Sequence, residues 1–200
     1  MLIALITDTH WGVRSDSLIF HDYTKKFLDE SFFPYLKENN IRNIIHLGDV
    51  FDRRKQTNTE TAHRLRKDFL EVIQNNQIET HIIAGNHDTY YKNTNKINAI
   101  DEYITGNYSH IKTYTNDAQI VEFDNFPILL VPWICAENRE KTLRAIKNSK
   151  AQVCMGHFEI QGFEMYKGSV VSEGDDRKLF EKFDMVMSGH YHHRSSDGQI

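Results

Sequence analysis

The sequence has few cysteines, few prolines and no long apolar segment. Its 200 residues include two cysteines and three prolines, and two cysteines are too few for a disulfide-stabilised scaffold. No apolar run approaches the roughly 20 residues that a membrane-spanning helix needs. The first residues also lack the basic segment and the cleavage pattern of a signal peptide. We therefore predict a protein of the reducing cytoplasm.

An excess of positive charge is also missing. The formal net charge is −4, whereas a protein that coats DNA through a broad basic face should be basic. The charge is nevertheless compatible with a metal site that acts on a phosphate, because two bound divalent cations would add four positive charges within one cleft. The apolar fraction of 40% is ordinary for a folded globular protein.

The hydrophobic pattern predicts alternating strands and helices in the first half of the chain. We predict strands at residues 2–6, 43–47, 81–84, 152–155 and 184–187, and a hairpin over 120–131. We predict helices at residues 17–39, 58–74, 97–103, 137–149 and 177–182. Pro34 should kink or restart the first helix because it lacks an N–H. Residues 163–173 should form a loop or an irregular ribbon.

Strands that alternate with helices imply parallel strands joined by right-handed crossovers. We therefore predict an α/β fold, a four-layer αββα sandwich of two mixed β-sheets flanked by helices, with a dinuclear metal site on loops at the sheet edges. Residues 1–200 should form one domain. The last six residues look like a turn that enters a further strand, so we expect this domain to be truncated at its C-terminus.

Metal-binding residue types follow five of the predicted strands. The candidate ligands are Asp8, His10, Asp49, Asn86, His157, His190 and His192. Seven nitrogen and oxygen donors are too many for one tetrahedral ion but are enough for two ions bridged by Asp49. Imidazole mixed with carboxylate and carboxamide suits manganese, iron or zinc, whereas magnesium prefers oxygen ligands alone, so we predict Mn²⁺ first. Such a pair of ions would activate water against a phosphodiester.

The ordered motifs resemble the calcineurin-like metallophosphoesterase superfamily and, within it, the SbcD-type recombination nucleases of the T-even phage type. The resemblance rests on the donor motifs together with residues 48–55, 91–93, 132–133 and 156–163. It implies one ion held by Asp8, His10, Asp49 and His192. It implies a second ion held by Asp49, Asn86, His157 and His190.

The same resemblance implies a manganese-dependent nuclease that degrades DNA ends in the 3′ to 5′ direction and also cuts single strands. Its implied partners are DNA, an SbcC-type ABC ATPase and a second copy of the chain, bound through helices of the nuclease domain. The DNA-capping and partner-binding regions of the family would lie outside these residues. A phage-encoded protein would work in the host cytoplasm.

Three further positions are candidates for substrate chemistry. The resemblance makes His87 the residue that stabilises the transition state or protonates the leaving oxygen. Our hypothesis is that the Asp52 carboxylate accepts a hydrogen bond from His87 and fixes its tautomer, as supporting carboxylates do in metal sites. Arg53 and Arg54 could hold a phosphate, although residues 52–55 could equally be a solvated charged loop.

Two other functions remain open at this stage. The chain could be a phosphatase or small phosphodiesterase, because one fold serves several substrates. His10 and the absence of tyrosine at position 52 disfavour a purple acid phosphatase, and Arg54 stands where phosphoprotein phosphatases have glycine. The chain could also be a non-catalytic scaffold, but such proteins usually lose ligands and none is missing here.

Overall fold

Two β-sheets form the centre of the protein. The computed structural model describes residues 1–166, 168–191, 194, 196 and 198–200. The first sheet contains, in this order, β1 Ala4–Ile6, β2 Asn43–His46, β3 Glu79–Ile83 and β4 Ile111–Tyr114. All three neighbouring pairs are parallel, so their carboxyl ends lie along one edge.

The second sheet is mixed. It contains β5 Gln119–Phe123, β6 Phe126–Val131 and β7 Val153–Gly156, while β8 Glu164–Tyr166 and β9 Ser169–Val170 form a separate antiparallel ribbon. The fourth strand of the second sheet is β10 Met185–Ser188, which pairs in parallel with β7. The β5–β6 hairpin is antiparallel and β6 runs parallel to β7.

Helices cover the outer face of each sheet. The α-helical segments are α1 Val13–Asp16, α2 Leu18–Phe27, α3 Phe33–Glu38, α4 Thr59–Leu65, α5 Glu71–Asn75, α6 Ala99–Tyr103 and α7 Arg139–Asn148. Two π-helical segments, Leu28–Phe32 and Arg66–Leu70, join α2 to α3 and α4 to α5, and a 3₁₀ helix spans Arg177–Phe180. Asn58 and Asn98 begin α4 and α6, because their side chains accept backbone N–H bonds that the first turn leaves open. None of the helices in the described residues is long and apolar enough to cross a membrane.

Three apolar clusters hold four layers together. The first packs the π-helical segment Leu28–Phe32 and the helical segments from α3 through α6 onto the outer face of the first sheet, with Leu28, Phe69 and Ile82 among its members. A second cluster, with Ile45, Leu130 and Met155 among its members, lies between the two sheets. The third seats α7 and the 3₁₀ helix on the second sheet. The predicted architecture of two sheets between helical layers is therefore confirmed.

Several details differ from the sequence-based predictions. We predicted two mixed sheets, but the described strands of the first sheet are all parallel. We predicted no strand at β4, whose four residues include the polar pair Lys112 and Thr113 at a sheet edge. The two long predicted helices each contain a π-helical segment, and Pro34 restarts the first one within the opening turn of α3. Residues 163–173 contain the β8–β9 ribbon.

Candidate metal centre

The predicted donors come together at the carboxyl ends of the parallel strands. Ligand sites in open α/β sheets form at such ends, because the loops that leave the strands converge there. Five strands deliver the candidates: β1 delivers Asp8 and His10, β2 Asp49, β3 Asn86 and His87, β7 His157, and β10 His190. His192 lies outside the described residues.

Glycine at position 48 allows these loops to pack closely. Its φ is +92°, a conformation that other residues rarely adopt. A Cβ atom there would lie 2.7 Å from the Gly85 nitrogen and 2.7 Å from Nδ1 of His157. The loop after β2 therefore touches both the loop after β3 and a donor from the second sheet, which no side chain at position 48 would permit.

Asp88 fastens the loops after β2 and β3 to each other. Its buried carboxylate accepts backbone N–H bonds from Asp49 at 2.9 Å, Phe51 at 2.9 Å and Gly85 at 2.8 Å. We assigned Asp88 no role from the sequence. Its place directly after Asn86 and His87 was the only available signal. Asp88 acts on the site by positioning Asp49, since three bonds from one carboxylate fix the path of both loops.

The first cluster of possible ligand atoms combines His10, Asp49 and His87, whose atoms lie within 4.8 Å of one another. Nε2 of His10 is 3.7 Å from Asp8 Oδ1 and 3.8 Å from Asp49 Oδ2. The Asp8 carboxylate accepts a hydrogen bond from Thr7 at 2.5 Å and one from the His190 backbone N–H at 3.1 Å. The first and last strands that carry donors are thus directly linked.

The second cluster combines Asp49, His157 and His190 within the same 4.8 Å limit. Asn86 Oδ1 joins it, at 3.0 Å from His157 Nε2 and 2.9 Å from His190 Nδ1. Asp49 Oδ2 lies 3.3 Å from His157 Nε2. Asp49 therefore belongs to both clusters, which is the arrangement expected of a carboxylate that bridges two ions.

The hydrogen bonds of His157 test whether this donor set fits a metal ion. His157 Nδ1 donates to the Leu47 carbonyl at 2.7 Å. In neutral His157 the lone pair is therefore on Nε2, where it faces the oxygens of Asn86 and Asp49. Three electron-pair donors repel one another unless a cation lies among them, so the residues fit a metal ion.

The pKa values of these donors follow from the same arrangement. Burial alone would lower the pKa of His157, but the Asp49 charge and hydrogen bond outweigh it and raise the pKa to about 9. Burial would raise the pKa of Asp49, yet the charge and hydrogen bond of His157 hold it far below its ordinary value. Asp8 behaves similarly, because hydrogen bonding with His10 and the His157 charge lower its pKa against the effect of burial.

The partner of His87 differs from our hypothesis. We expected the Asp52 carboxylate to accept its hydrogen bond, but His87 Nδ1 donates to the backbone carbonyl of Asp52 at 2.5 Å. The Asp52 carboxylate instead faces His10, with Oδ1 3.6 Å from Nδ1. Asp52 therefore fixes the His87 tautomer through its main chain. A second contact, from the His87 N–H to Asp49 Oδ1 at 2.7 Å, holds the residue against the cluster.

The two arginine candidates already have protein partners. Arg53 forms an ion pair with Asp16. Arg54 donates to the Thr89 hydroxyl at 3.0 Å, and it is partly buried. A phosphate bound by either guanidinium would have to replace or share these contacts.

Two further residues border the second cluster, although we named neither of them as a site residue from the sequence. Glu159 Oε1 lies 4.0 Å from His190 Nε2, on the side of the ring opposite Nδ1. The Trp133 ring packs at 5.4 Å from His190 and 6.1 Å from His157, measured between ring centroids. Glu159 follows His157 by two residues, so its sequence position was a usable signal. Trp133 had a signal too, because residues 132–133 are part of the family resemblance.

A carboxylate shared by two nitrogen and oxygen clusters, at the common edge of two stacked sheets, is the arrangement expected of a metal-dependent hydrolase. Comparison with known proteins identifies the family within this class. Residues 1–194 match the family described as calcineurin-like phosphoesterase. The chain belongs to this family.

Two curated relatives align with nearly the whole chain. This chain is 35% identical over 192 residues to exonuclease subunit 1 of Enterobacteria phage T4, and the alignment covers 96% of this chain and 55% of that protein. It is 24% identical over 204 residues to the DNA double-strand break repair protein Mre11 of Sulfolobus acidocaldarius, covering 98% of this chain and 51% of that protein. The chain thus spans about half the length of the curated relatives it matches.

A solved structure supports the fold alone. GAP50, described as the anchor in the inner membrane complex of Plasmodium, superimposes with a TM-score of 0.53 at 13% identity, covering 94% of this chain and 65% of that chain. At this identity the likeness extends to the arrangement of sheets and helices and to nothing finer.

Proposed function

We propose that the chain is the catalytic part of a manganese-dependent DNA nuclease, a 3′–5′ double-strand exonuclease and single-strand endonuclease that processes DNA ends in recombination, repair or replication. The observation that carries the proposal is the pair of donor clusters that share Asp49. The family supplies the reaction class, hydrolysis of a phosphoester. The names of the relatives supply DNA as the substrate.

The donors divide between two ions as the family resemblance implies. Asp8, His10 and Asp49, with His192, would hold one ion, while Asn86, His157 and His190 share Asp49 around the other. Bound divalent ions would neutralise the phosphate and lower the pKa of water. We rank Mn²⁺ first because imidazole and oxygen donors are mixed, with Mg²⁺, Zn²⁺ and Fe²⁺ as the alternatives to be tested.

His87 is the residue we assign to proton transfer. Its Nδ1–H is held by the Asp52 carbonyl, so Nε2 is the nitrogen that can carry or release a proton. It lies in the first cluster together with His10 and Asp49, so it would be close to a phosphate bound by ions at these donors. Protonated His87 would donate that proton as the phosphodiester bond breaks.

An aromatic and basic surface beside His87 supports a nucleic acid as the substrate. Lys55 lies over the ring of Tyr90 at 5.6 Å, and Tyr90 packs edge-on against Tyr91 at 4.7 Å between centroids. Tyr91 and the neighbouring Lys92 are exposed. Rings that stack on bases next to cations that pair with phosphates are typical of single-strand binding surfaces. A small ester would use neither.

The proposal includes protein partners. The word subunit in the name of the phage relative indicates an assembly, and we propose an SbcC-type ABC ATPase and a second copy of the chain. Tyr91 and Ile97 are each half exposed and are available to such a second copy. Light scattering of the protein alone and mixed with the ATPase would detect both complexes, and monomeric behaviour under both conditions would contradict this part.

The decisive experiment compares two substrates with Mn²⁺. End-labelled duplex DNA and an aryl phosphate would be incubated with the wild-type protein, with His87→Ala and with Asp8→Ala. We expect only the wild type to cleave DNA. We expect Asp8→Ala to lose one of the two bound ions and to retain the circular dichroism spectrum of the wild type. Hydrolysis of the aryl phosphate with intact DNA would identify a small phosphodiesterase or phosphatase instead. No turnover of either substrate would favour the scaffold.

A further inference from the structure

A cavity of about 430 Å³ lies between the end of β1 and the helical layer that covers the first sheet. Asp8 and Thr9 form its inner end, and Tyr23 and Phe27 of α2 form part of its wall. Asp8 is also a member of the candidate metal centre, so the cavity and the centre share a residue. Its volume is within the range of pockets that take small organic groups.

The charge of the cavity excludes an anion as its ligand. Asp8 is the only charged side chain among the described residues that line it, and none of them is a lysine or an arginine. A phosphate would therefore meet a carboxylate and no cation, which disfavours its binding. The occupant should therefore not be an anion.

The aromatic residues specify a flat occupant. Tyr23 and Phe27 stand one helical turn apart on α2, with 69% and 50% of their surfaces exposed. Trp11 also lines the cavity and is 97% buried, since only 3% of its surface is exposed. The cavity therefore offers the exposed ring surfaces of Tyr23 and Phe27, an arrangement that suits a flat aromatic ring.

The backbone of the cavity wall is unusual at two places. Leu28 is the first residue of one π-helical segment, Phe69 belongs to the other, and both line the cavity. Segments of π-helix inside α-helices are rare and occur frequently at functional sites. Two of them meeting at one cavity is an independent indication that the space is used.

We propose that this cavity binds the base of a nucleotide whose phosphate lies at the metal centre. The inference rests on the proposed function and deepens it, because it gives the nuclease a subsite that requires an unpaired base. A base is uncharged, flat and rich in hydrogen-bond acceptors. It is also only a few bonds away from its own phosphate, so one nucleotide can reach both sites.

Equilibrium binding of two labelled oligonucleotides tests this subsite. One is oligothymidylate, and the other has the same length and phosphates but no bases. All proteins carry His87→Ala, so that the ligand stays intact in Mn²⁺. The test variant adds Tyr23→Ala with Phe27→Ala, a conservative variant adds Tyr23→Phe, and a control adds Tyr35→Ala, which removes an exposed tyrosine of α3 that does not line the cavity.

We expect the preference for oligothymidylate over the baseless chain to fall roughly tenfold in the double variant. The preference should be retained in Tyr23→Phe and in the control. An unchanged preference in the double variant would overturn the inference. Sedimentation that shows only the dissociation of a dimer by the double substitution would also overturn it, because a second copy of the chain would then occupy the cavity. Failure of the proposed function would appear separately, as intact DNA in the cleavage assay of the wild type.

Discussion

Asp8, His10, Asp49 and His190 share a backbone conformation that the residue pattern does not predict. Their φ angles are 51°, 42°, 54° and 80°, in the left-handed region that costs residues other than glycine roughly 1–2 kcal/mol each. Backbone N–H bonds from Asp8 to Gly48 and from His10 to Asp49 hold two of them there. These bonds offset the strain. The left-handed conformation directs the donors of both sheets towards one point.

Asp88 should be essential for stability although it makes no contact with substrate. Asp88→Asn would place an N–H₂ group against backbone N–H groups and leave buried donors without acceptors, at about 1–3 kcal/mol each. We expect the free energy of unfolding in urea to fall by about 2–4 kcal/mol. Asp124→Asn, in the exposed turn between β5 and β6, is the matched control and should change it by less than about 0.5 kcal/mol. Equal stability of the two variants would refute the role.

Glu159 should tune metal binding through His190. The nitrogen of His190 that faces Asn86 is Nδ1, so its Nε2 side faces the Glu159 carboxylate. A carboxylate behind a ligating imidazole orients it and raises its basicity. We expect Glu159→Ala to weaken Mn²⁺ binding by about 10–100-fold in calorimetry, and Glu159→Gln to recover part of the loss. Exposed Glu173 supplies the control, and a Glu173→Ala effect of the same size would contradict a specific role.

At the scale of elements, the loop crossing at Gly48 is the most sensitive point of the fold. Gly48→Ala combines a positive φ with a Cβ that collides with the Gly85 backbone and the His157 ring. Gly106 is the matched control, because its φ is +76° but nothing lies within 4 Å of an added Cβ. We expect thermal unfolding to show a loss of about 1 kcal/mol for Gly106→Ala and of at least about 3 kcal/mol for Gly48→Ala. Similar losses would mean that the close approach is unimportant.

The elements that sequence patterns predicted are those whose burial is strong. β2 and β3 are buried at every residue after their first, because helices and the second sheet cover both their faces. β4 was missed because Lys112 faces solvent and its run is short. The π-helical segments were also missed, since the widened turn depends on contacts between helices, such as that of Phe33 with Phe69, and not on local spacing.

The donors of the candidate site could be predicted for a related reason. A polar residue shortly after a strand is conspicuous, and every predicted donor among the described residues lies within four residues of the end of a strand. The supporting contacts could not be predicted, because they join segments far apart in sequence. Asp88 bonds to Phe51 and Arg53 pairs with Asp16, and nothing within either segment indicates its partner. The atom of Asp52 that receives the His87 hydrogen bond depends on loop geometry in the same way.

At the scale of the whole molecule, His81 should make stability depend on pH. It lies against Phe123 of the second sheet and bonds to the Tyr114 hydroxyl. Burial, and then the Lys112 charge, lower its pKa to about 4. The unfolded chain takes up a proton near pH 6.5, whereas the folded protein does so only near pH 4. The stability contributed by neutral His81 is therefore complete above about pH 6.5 and is lost as the pH falls towards 4.

We expect this residue to contribute up to about 3 kcal/mol to the fall in unfolding free energy over that range. His81→Gln should make the dependence shallower in urea titrations at several pH values. His63→Gln, on the exposed face of α4, should leave it unchanged. An identical pH dependence in wild type and His81→Gln would contradict the prediction. Buried His46, whose pKa burial also lowers to about 4, would contribute to the slope that remains.

The link between Asp8 and His190 joins groups 182 residues apart. Ribosomes add about 5–20 residues per second, so the first donors leave the ribosome roughly 10–40 s before the last ones. During that interval a nascent chain can fold its first sheet, but only some of its metal donors have left the ribosome. The proposed activity would begin only when synthesis has passed residue 192, and prematurely terminated products would be harmless to the DNA of the cell that makes them.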